Sequence, residues 1–391
     1  MFKLSDSILN EEKIDSFKKD AVNFMDNLPY KVAPYNGRNW GHAWHSLCSY
    51  HGKLKPAIAY HLINTFTKKG DKVLDPMSGV GTIPFEASLQ GRIGIGNDLS
   101  ELAYTVTKAK LKRPNPERVN AIIRELTDFI EVFKQDYQED EIPYNDFGLN
   151  KTIPDYFHPI TYSEILAARS FFTNRIQSMD SNEAFVFSCF LHVLHGNRPY
   201  ALSRTSHPLT PYAPSGEFIY KNVVQHIMQK IELSYKKGEF SEFNDGFAIL
   251  GDLFDLPKYF NEEIDAIITS PPFVGSIKFF NNNWMRLWLA GWEPEDFKKA
   301  NERFLEGKQN KNLIIYDEFF KMCNKVLKPK GKIILHLGKS DKCNMGEELI
   351  KFAEPYFKII HLGSEDVSMI ENHGISDKGS TTDHQFLFLQ K

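Results

Sequence analysis

Apolar positions along the chain follow two periods, and the change between them divides it. Residues 54–68, "LKPAIAYHLINTFTK", repeat at helical spacing, with Pro56 suited to a first turn. "KVLD" then reads as a short strand, "PMSGVG" as a glycine-bearing turn and "TIPFEASLQ" as a helix start. "GRIGIGNDLS" is a second strand ending on an acid, and "SELAYTVTKAKLKR" a second helix that Pro114 stops. That succession opens a doubly wound α/β sheet. Residues 114–240 break it with helical stretches such as "ERVNAIIRELTDFIEVFKQDYQ" and "NEAFVFSCFLHVLHG", interrupted by a loop over 195–216. Strands and helices resume with "FAILGDLFDLP", "IDAIITSPP", "NNNWMRLWLAGW" and "GKIILHLGKS". "MGEELIKFAEPY", "FKIIHLG" and a terminal strand "HQFLFLQK" complete them. Ahead of all this, 8–28 read as an amphipathic helix and 29–52 as a structured loop. The expectation is one α/β sheet with a mainly helical module inserted. Its parts are 1–113, 114–240 and 241–391.

Composition adds little against this and excludes some classes. The 391 residues carry a formal net charge of −3, so a polyanionic partner would have to meet a local surface. The 31 Phe and 16 Tyr make stacking surfaces worth seeking. Cys48, Cys189, Cys323 and Cys343 are far apart, which fits reduced thiols better than a disulfide framework. The His pairs His42/His45 and His192/His195 lack zinc-site spacing, so no metal is expected. The N-terminus has no apolar core of a signal peptide, and no apolar run is long enough to span a bilayer. A soluble, cytoplasmic protein is expected.

Candidate chemistry gathers at the carboxyl ends of the predicted strands. In "VLDPMSGVGTIPFEA", Gly79 and Gly81 let the backbone pass close under a ligand. The helix after them, beginning at Thr82, aims N–H groups at it. Asp98 can accept from both hydroxyls of a ribose, and Asp252 from an adenine amino group. The third glycine of a dinucleotide fingerprint is replaced by Pro84. A ligand with adenosine and no pyrophosphate fits better, and S-adenosylmethionine has that form. The alternative is a glycine turn that serves packing alone.

"ITSPPF" closes another apolar strand on a rigid corner. Pro-Pro fixes the backbone, so the Pro271 carbonyl points one way, and Ser270 adds a second oxygen acceptor. Together they can take both hydrogens of an exocyclic amine and direct its lone pair at an electrophilic methyl group. Phe273, after Pro272, offers a ring on which a flat base can stack.

Asp75–Thr82 "DPMSGVGT" and Thr269–Phe273 "TSPPF" resemble the S-adenosylmethionine-dependent amino-methyltransferases of DNA, in the branch linked to cytosine N4. The resemblance covers most of the chain outside 114–194. It implies the class I methyltransferase sheet with a terminal antiparallel strand. It also implies cofactor contacts from Asp75, Pro76, Met77 and, in "SYHGKLKPAIAYHLI", from His51 and Lys53. The motif order looks like the permutation that places target recognition between the two motifs. Met77 and Phe273 depart from that family's usual Phe and Tyr. Ser270 favours cytosine N4, and adenine N6 stays open.

Within 195–216, "HGNRPYALSRTSHPLTPYAPSG", Arg198, Arg204 and His207 suit phosphates and base edges, and Tyr200 and Tyr212 suit stacking. The alternative is a structural loop whose arginines serve the module itself. In "WMRLWLAGW", Trp284, Leu287 and Trp288 share one helical face and read as core. The expected activity is methylation of a base turned out of double-stranded DNA, as in restriction-modification, with a nuclease or other defence protein as possible partner. Two readings compete: an RNA base methyltransferase, and a non-catalytic nucleic-acid binder on a relic fold.

Overall fold

The computed structural model describes residues 16–37, 39–136, 142–236, 240–276, 278–367 and 381–391. Of the helix expected over 8–28, residues 8–15 lie outside the described residues, and 16–27 are helical (α1).

The strands form where apolar runs are short and bounded by turn residues. They are β1 (Lys72–Asp75), β2 (Ile93–Asp98), β3 (Phe247–Leu250), β4 (Ile264–Thr269), β5 (Leu327–Ser340), β6 (Cys343–Asn344), β7 (Lys358–Asp366) and β8 (Thr381–Gln390). They make one sheet in the order β3-β2-β1-β4-β5-β8-β7, with β6 paired to β5. The first five of that order run parallel, and β8 is antiparallel to both β5 and β7. Phe386, Leu387, Phe388 and Leu389 of β8 are fully buried, which is why this strand is apolar without alternation. This order, with its reversed strand lying between β5 and β7, is the class I S-adenosylmethionine-methyltransferase fold.

Connections leave β1 toward β2 on one side, while β4 lies on the other. The strand order therefore switches between β1 and β4, and a crevice opens beyond their carboxyl ends. Helices α2 (Pro56–Phe66), α3 (Thr82–Leu89) and α4 (Glu101–Lys110) flank it, with Pro56 in the first turn of α2.

The helices of 114–240 are α5 (Pro116–Asp136), α6 (Pro159–Thr173), α7 (Ser181–Val193) and α8 (Val223–Tyr235). Phe172 and Phe187 stack with ring centroids 4.6 Å apart between α6 and α7. Their core is continuous with Val106 and Ala109 of α4 and with Trp284, Leu287 and Trp288 of a later helix. The inserted helices thus lean on the sheet's own α4.

Between β4 and β5 come α9 (Phe279–Asn282), α10 (Trp284–Leu289), α11 (Pro294–Arg303), α12 (Leu305–Gln309) and α13 (Ile315–Val326). α14 (Met345–Ala353) precedes β7. No helix among the described residues is long and apolar enough to cross a membrane.

Candidate active site

After β1 the chain turns through Pro76–Gly81 into α3. Gly79 has φ +50° and Gly81 φ +71°, the left-handed region that glycine enters freely. The two glycines do different work. A Cβ on Gly79 would point at Tyr50, 3.8 Å from its Cε1, inside the cavity. A Cβ on Gly81 would lie 2.7 Å from Thr107 Oγ1 on α4. This corrects the expectation that both glycines clear space for a ligand: Gly79 lines the cavity, and Gly81 clears a helix crossing.

The cavity beyond β1 and β4 has a volume of about 580 Å³, inside the roughly 300–1,000 Å³ range of small-molecule sites. Asp75, Pro76, Met77, Gly79, Thr82, Asp98, Asp252, His51 and Lys53 all line it. So do Ser270, Pro271, Pro272 and Phe273. Asp98 ends β2 with Oδ2 accepting from Gly79 N at 2.9 Å and Oδ1 from Ser100 N at 2.9 Å. A third backbone bond, from Leu99, also favours the charged form. Burial pushes the carboxyl up to about 6, against these backbone bonds. Asp252 caps a turn, with Oδ1 accepting from Phe254 N at 3.1 Å. Lys53 donates to His45 O at 2.8 Å, so part of its donor capacity is spent on the segment before α2.

Asn97, which the sequence reading passed over, ties the two sides together. Its Nδ2 donates to Pro76 O at 3.0 Å and to Gly251 O at 3.2 Å. Its Oδ1 is buried without a hydrogen-bond partner among the described residues, and the residue lines the cavity.

The corner after β4 is held from three sides. Thr269 Oγ1 donates to Asp75 Oδ1 at 2.6 Å. Ser270 Oγ lies 3.0 Å from His336 Nδ1 on β5. Gln309 Nε2 donates to Pro272 O at 2.8 Å, and Tyr316 O–H fixes Gln309 at 2.8 Å. The Phe273 ring rests where β5 has Gly338: a Cβ there would come within 2.5 Å of Phe273 Cδ2. Asp75 is buried, and that burial pushes its carboxyl up to about 7 despite the bond from Thr269.

A lid from the β4–β5 connection closes one side. Arg303, Phe304, Leu305 and Glu306 line the cavity. Arg303 reaches Glu101 of α4 at 3.4 Å, and Trp292 Nε1 donates to the same carboxylate at 2.9 Å. Glu306 is buried and accepts from Phe279 N at 3.2 Å; burial pushes it up to about 7. Asn97, Glu306, His336 and Gln309 carry no assigned motif role, and Tyr50 lies unassigned beside His51 in the segment before α2, so only their placement beside the two corners reveals them.

The loop 195–216 lies away from the cavity lining, though His207 and the cavity residue His51 are close enough to repel each other's protons. Arg198 and Tyr212 are exposed, Tyr212 at 56%. Tyr200 is half-buried, its ring stacked on His192 at 5.6 Å and its hydroxyl 3.2 Å from His192 Nε2. Arg204 is committed to the loop itself, which departs from the expected role of a phosphate or base contact. It donates to Gly216 O at 2.8 Å and Asp155 O at 3.0 Å, and packs on Phe218. Ser203 and Ser206 likewise spend their hydroxyls on loop carbonyls. Buried Arg286 of α10 fastens the loop, donating to Leu191 O at 3.0 Å and Pro208 O at 2.9 Å. Among the described residues no three His, Cys, Asp or Glu side chains come together to hold a metal.

A family model described as UPF0020, RMKL-like, methyltransferase domain matches residues 44–126, the segment that runs from the pre-α2 loop into α5. The Type II methyltransferase M.MthZI of Methanothermobacter thermautotrophicus is 31% identical over 78 residues. That stretch is 20% of this chain, and the chain spans only 22% of that relative's length. Among solved structures, TrmN from Thermus thermophilus aligns with 87% of this chain and 50% of its own at 14% identity, TM-score 0.32. A TehB-like S-adenosylmethionine-dependent methyltransferase from Corynebacterium glutamicum aligns with 85% of this chain and 86% of its own at 10% identity, TM-score 0.33. The fold itself is read from the strand order above. S-adenosylmethionine is the cofactor that goes with this methyltransferase fold, and Gly79, Asp98 and Asp252 line the crevice where its strand order switches.

Proposed function

We propose that the protein is a methyltransferase acting on an exocyclic amine of a base turned out of double-stranded DNA, cytosine N4 first and adenine N6 second. The observation that carries this reading is the continuity of one cavity from Asp98 and Asp252 through Gly79 to Ser270 and Phe273. A cofactor corner and an amine-accepting corner open into the same space. They are braced to each other by the Thr269–Asp75 bond. The likeness of 78 residues to a Type II methyltransferase supports the same class.

S-adenosylmethionine, held by Asp98, Asp252 and the Gly79 turn, would supply a methyl carbon on a cationic sulfur; the amine nitrogen would take that carbon as the sulfur keeps the electron pair of the broken carbon–sulfur bond, and water would take the amine's surplus proton. The chain's residues make the amine a nucleophile. Its lone pair is conjugated with the ring, and Ser270 Oγ with the Pro271 carbonyl draw its hydrogens out of plane. The Pro272 carbonyl faces inward to Gln309, which leaves Pro271 as the corner's backbone acceptor. Phe273 stacks on the base. Asp98 accepts from the ribose, Asp252 from the adenine amine, and Asn97 lines the same wall. Arg198, Tyr200 and Tyr212 carry the outer contact to the nucleic acid, with His207 behind them near His51.

The test is mass spectrometry of nucleosides after DNA and RNA are each incubated with the protein and methyl-labelled S-adenosylmethionine. Label in N4-methylcytosine from DNA supports the reading. Label only in an RNA nucleoside, or in none, overturns it.

A further inference from the structure

We propose that His336 is a positioning residue that holds the Ser270 hydroxyl as an acceptor facing the cavity. The inference rests on the methyl-transfer reading above. A serine hydroxyl has one hydrogen and two lone pairs and turns about its C–O bond. An amine presents hydrogens, so a hydroxyl that turns its own hydrogen into the cavity opposes it. Something must take that hydrogen from the other side.

His336 is placed to do so. Thr269 of β4 is in register with Leu335 of β5, so the next residues of each strand, Ser270 and His336, sit side by side. Nδ1 and Oγ are 3.0 Å apart. An unprotonated Nδ1 accepts the hydroxyl hydrogen and leaves both oxygen lone pairs to the cavity. The proton of the neutral ring then belongs on Nε2. That atom has no hydrogen-bond partner among the described residues. The ring is packed among Phe273, Phe386 and His384, with centroids 5.5, 4.9 and 4.9 Å away. Aromatic faces accept an N–H weakly and offer nothing to a charged imidazolium that water would not offer better.

The surroundings also keep the ring neutral, which Nδ1 acceptance requires. His336 is 5% exposed, and burial holds its protonation well below the ordinary imidazole range. The titratable groups facing it, His384 on β8 and Lys55 before α2, act in the same direction, and no acid is among the groups that act on it. Glu365 and Asp383 act on His384 instead.

Two measurements test this. In the full-length protein with ¹⁵N-labelled histidine, the ring nitrogens of His336, assigned by their loss in His336→Asn, should report an Nε2–H tautomer. The Nδ1 signal should move in Ser270→Ala. An Nδ1–H tautomer, or no response to Ser270→Ala, overturns the proposal, and this readout needs no nucleic acid. In single-turnover methyl transfer, His336→Phe should slow the step by between about ten- and a hundredfold, with the dissociation constant for S-adenosylmethionine unchanged. His336→Asn, whose Oδ1 stands where Nδ1 stood, should restore most of the rate. In a Ser270→Ala background, His336→Phe should add nothing. Equal losses in both backgrounds, or a wild-type rate in His336→Phe, overturns it. If the wild-type protein methylates neither DNA nor RNA, the methyl-transfer reading fails instead, while the tautomer still decides whether Ser270 is held as an acceptor.

Discussion

Thr269 and Asp75 join the two corners of the site directly: the Thr269 hydroxyl donates to Asp75 Oδ1 at 2.6 Å, with both residues buried. One stands at the end of β4 and the other at the end of β1, strands that lie side by side in the sheet. The same Asp75 oxygen accepts from Met77 N at 3.2 Å, which shapes the start of the cofactor turn. On the proposed function the bond sets how far the methyl donor stands from the amine-accepting corner.

Thr269→Val keeps the shape of the side chain and removes that donor. We expect a loss of roughly 1–3 kcal/mol in stability, the range for a buried acceptor deprived of its partner. The loss should depend on pH. Asp75 titrates in the folded chain at about 7, above a free carboxyl. The folded state therefore holds its proton over a window where the unfolded state does not, and this group's contribution falls as pH rises toward 7. A hydroxyl serves a carboxylate better than a carboxylic acid, so the deficit of Thr269→Val should be larger at pH 8 than at pH 5. Urea unfolding at the two pH values measures it.

Gly79→Val and Gly81→Val should separate cofactor binding from folding. Both variants carry the strain of a β-branched residue at positive φ, so the difference between them is what counts: at Gly79 the added atoms also enter the cavity toward Tyr50, so S-adenosylmethionine binding should fall sharply in whatever protein folds. At Gly81 they enter Thr107, so the effect should be on stability, about 1–3 kcal/mol for overpacking. Calorimetric titration alongside thermal unfolding distinguishes them. An equal loss of S-adenosylmethionine affinity in folded protein from both variants would remove the division of labour.

Asp98 should give cofactor affinity a pH dependence. Burial sets its carboxyl at about 6. Below that value it is a neutral acid and a poorer acceptor for ribose hydroxyls. Affinity should rise with pH through 6 and level off above it. Asp98→Asn should bind more weakly at pH 7.5 and lack the part of the rise centred near 6. A wild-type pH profile in Asp98→Asn would move the ribose elsewhere.

Ser270→Ala should leave cofactor binding intact and cut turnover by about 30- to 1000-fold, equivalent to roughly 2–4 kcal/mol of transition-state support. Phe273→Ala should weaken binding of the extruded base as well. Gly338→Ala offers a subtler probe, because its Cβ would displace the Phe273 ring without touching the ligand. It should reproduce part of the Phe273→Ala defect. Single-turnover methyl transfer with varied DNA concentration reads all three.

In the loop, Arg198→Ala should weaken DNA binding across sequences and lower the salt slope by about 1, as one lost phosphate contact does. Arg204→Ala should instead destabilise the loop, since its guanidinium holds Gly216 O and Asp155 O. A salt titration of DNA affinity and a limited-proteolysis time course would tell them apart.

The corners were legible in the sequence because their chemistry is local. Gly79, Asp98 and "TSPPF" sit in short segments where backbone need and residue type coincide. Gly81 was legible as a glycine and misread in purpose, because what its missing Cβ avoids is Thr107, on a helix farther along the chain. His336 and Gln309 carry no pattern at all: one is a histidine within an apolar strand, the other a polar residue in a five-residue helix. They act through register and packing, which a linear reading does not contain. Arg204 looked like Arg198 for the same reason, since composition does not tell an arginine that holds backbone carbonyls from an exposed one that lies on a tyrosine of the same loop.

Since β1 and β4 are neighbours in the sheet, the Thr269–Asp75 bond does not depend on the length of the chain that leaves after α4 and returns at β3. Helices α5 to α8 and the 195–216 loop lie in that stretch, while Gly79, Asp98 and Asp252 lie outside it. On the proposed function this stretch alone can be exchanged as a cassette, so that what is read on the nucleic acid diverges while the distance between donor and acceptor stays constant. The seam such a graft must respect is the face of α4 that bears Val106 and Ala109 together with Trp284, Leu287 and Trp288 of α10, where a foreign cassette would have to match existing knobs and hollows before it could choose a new target.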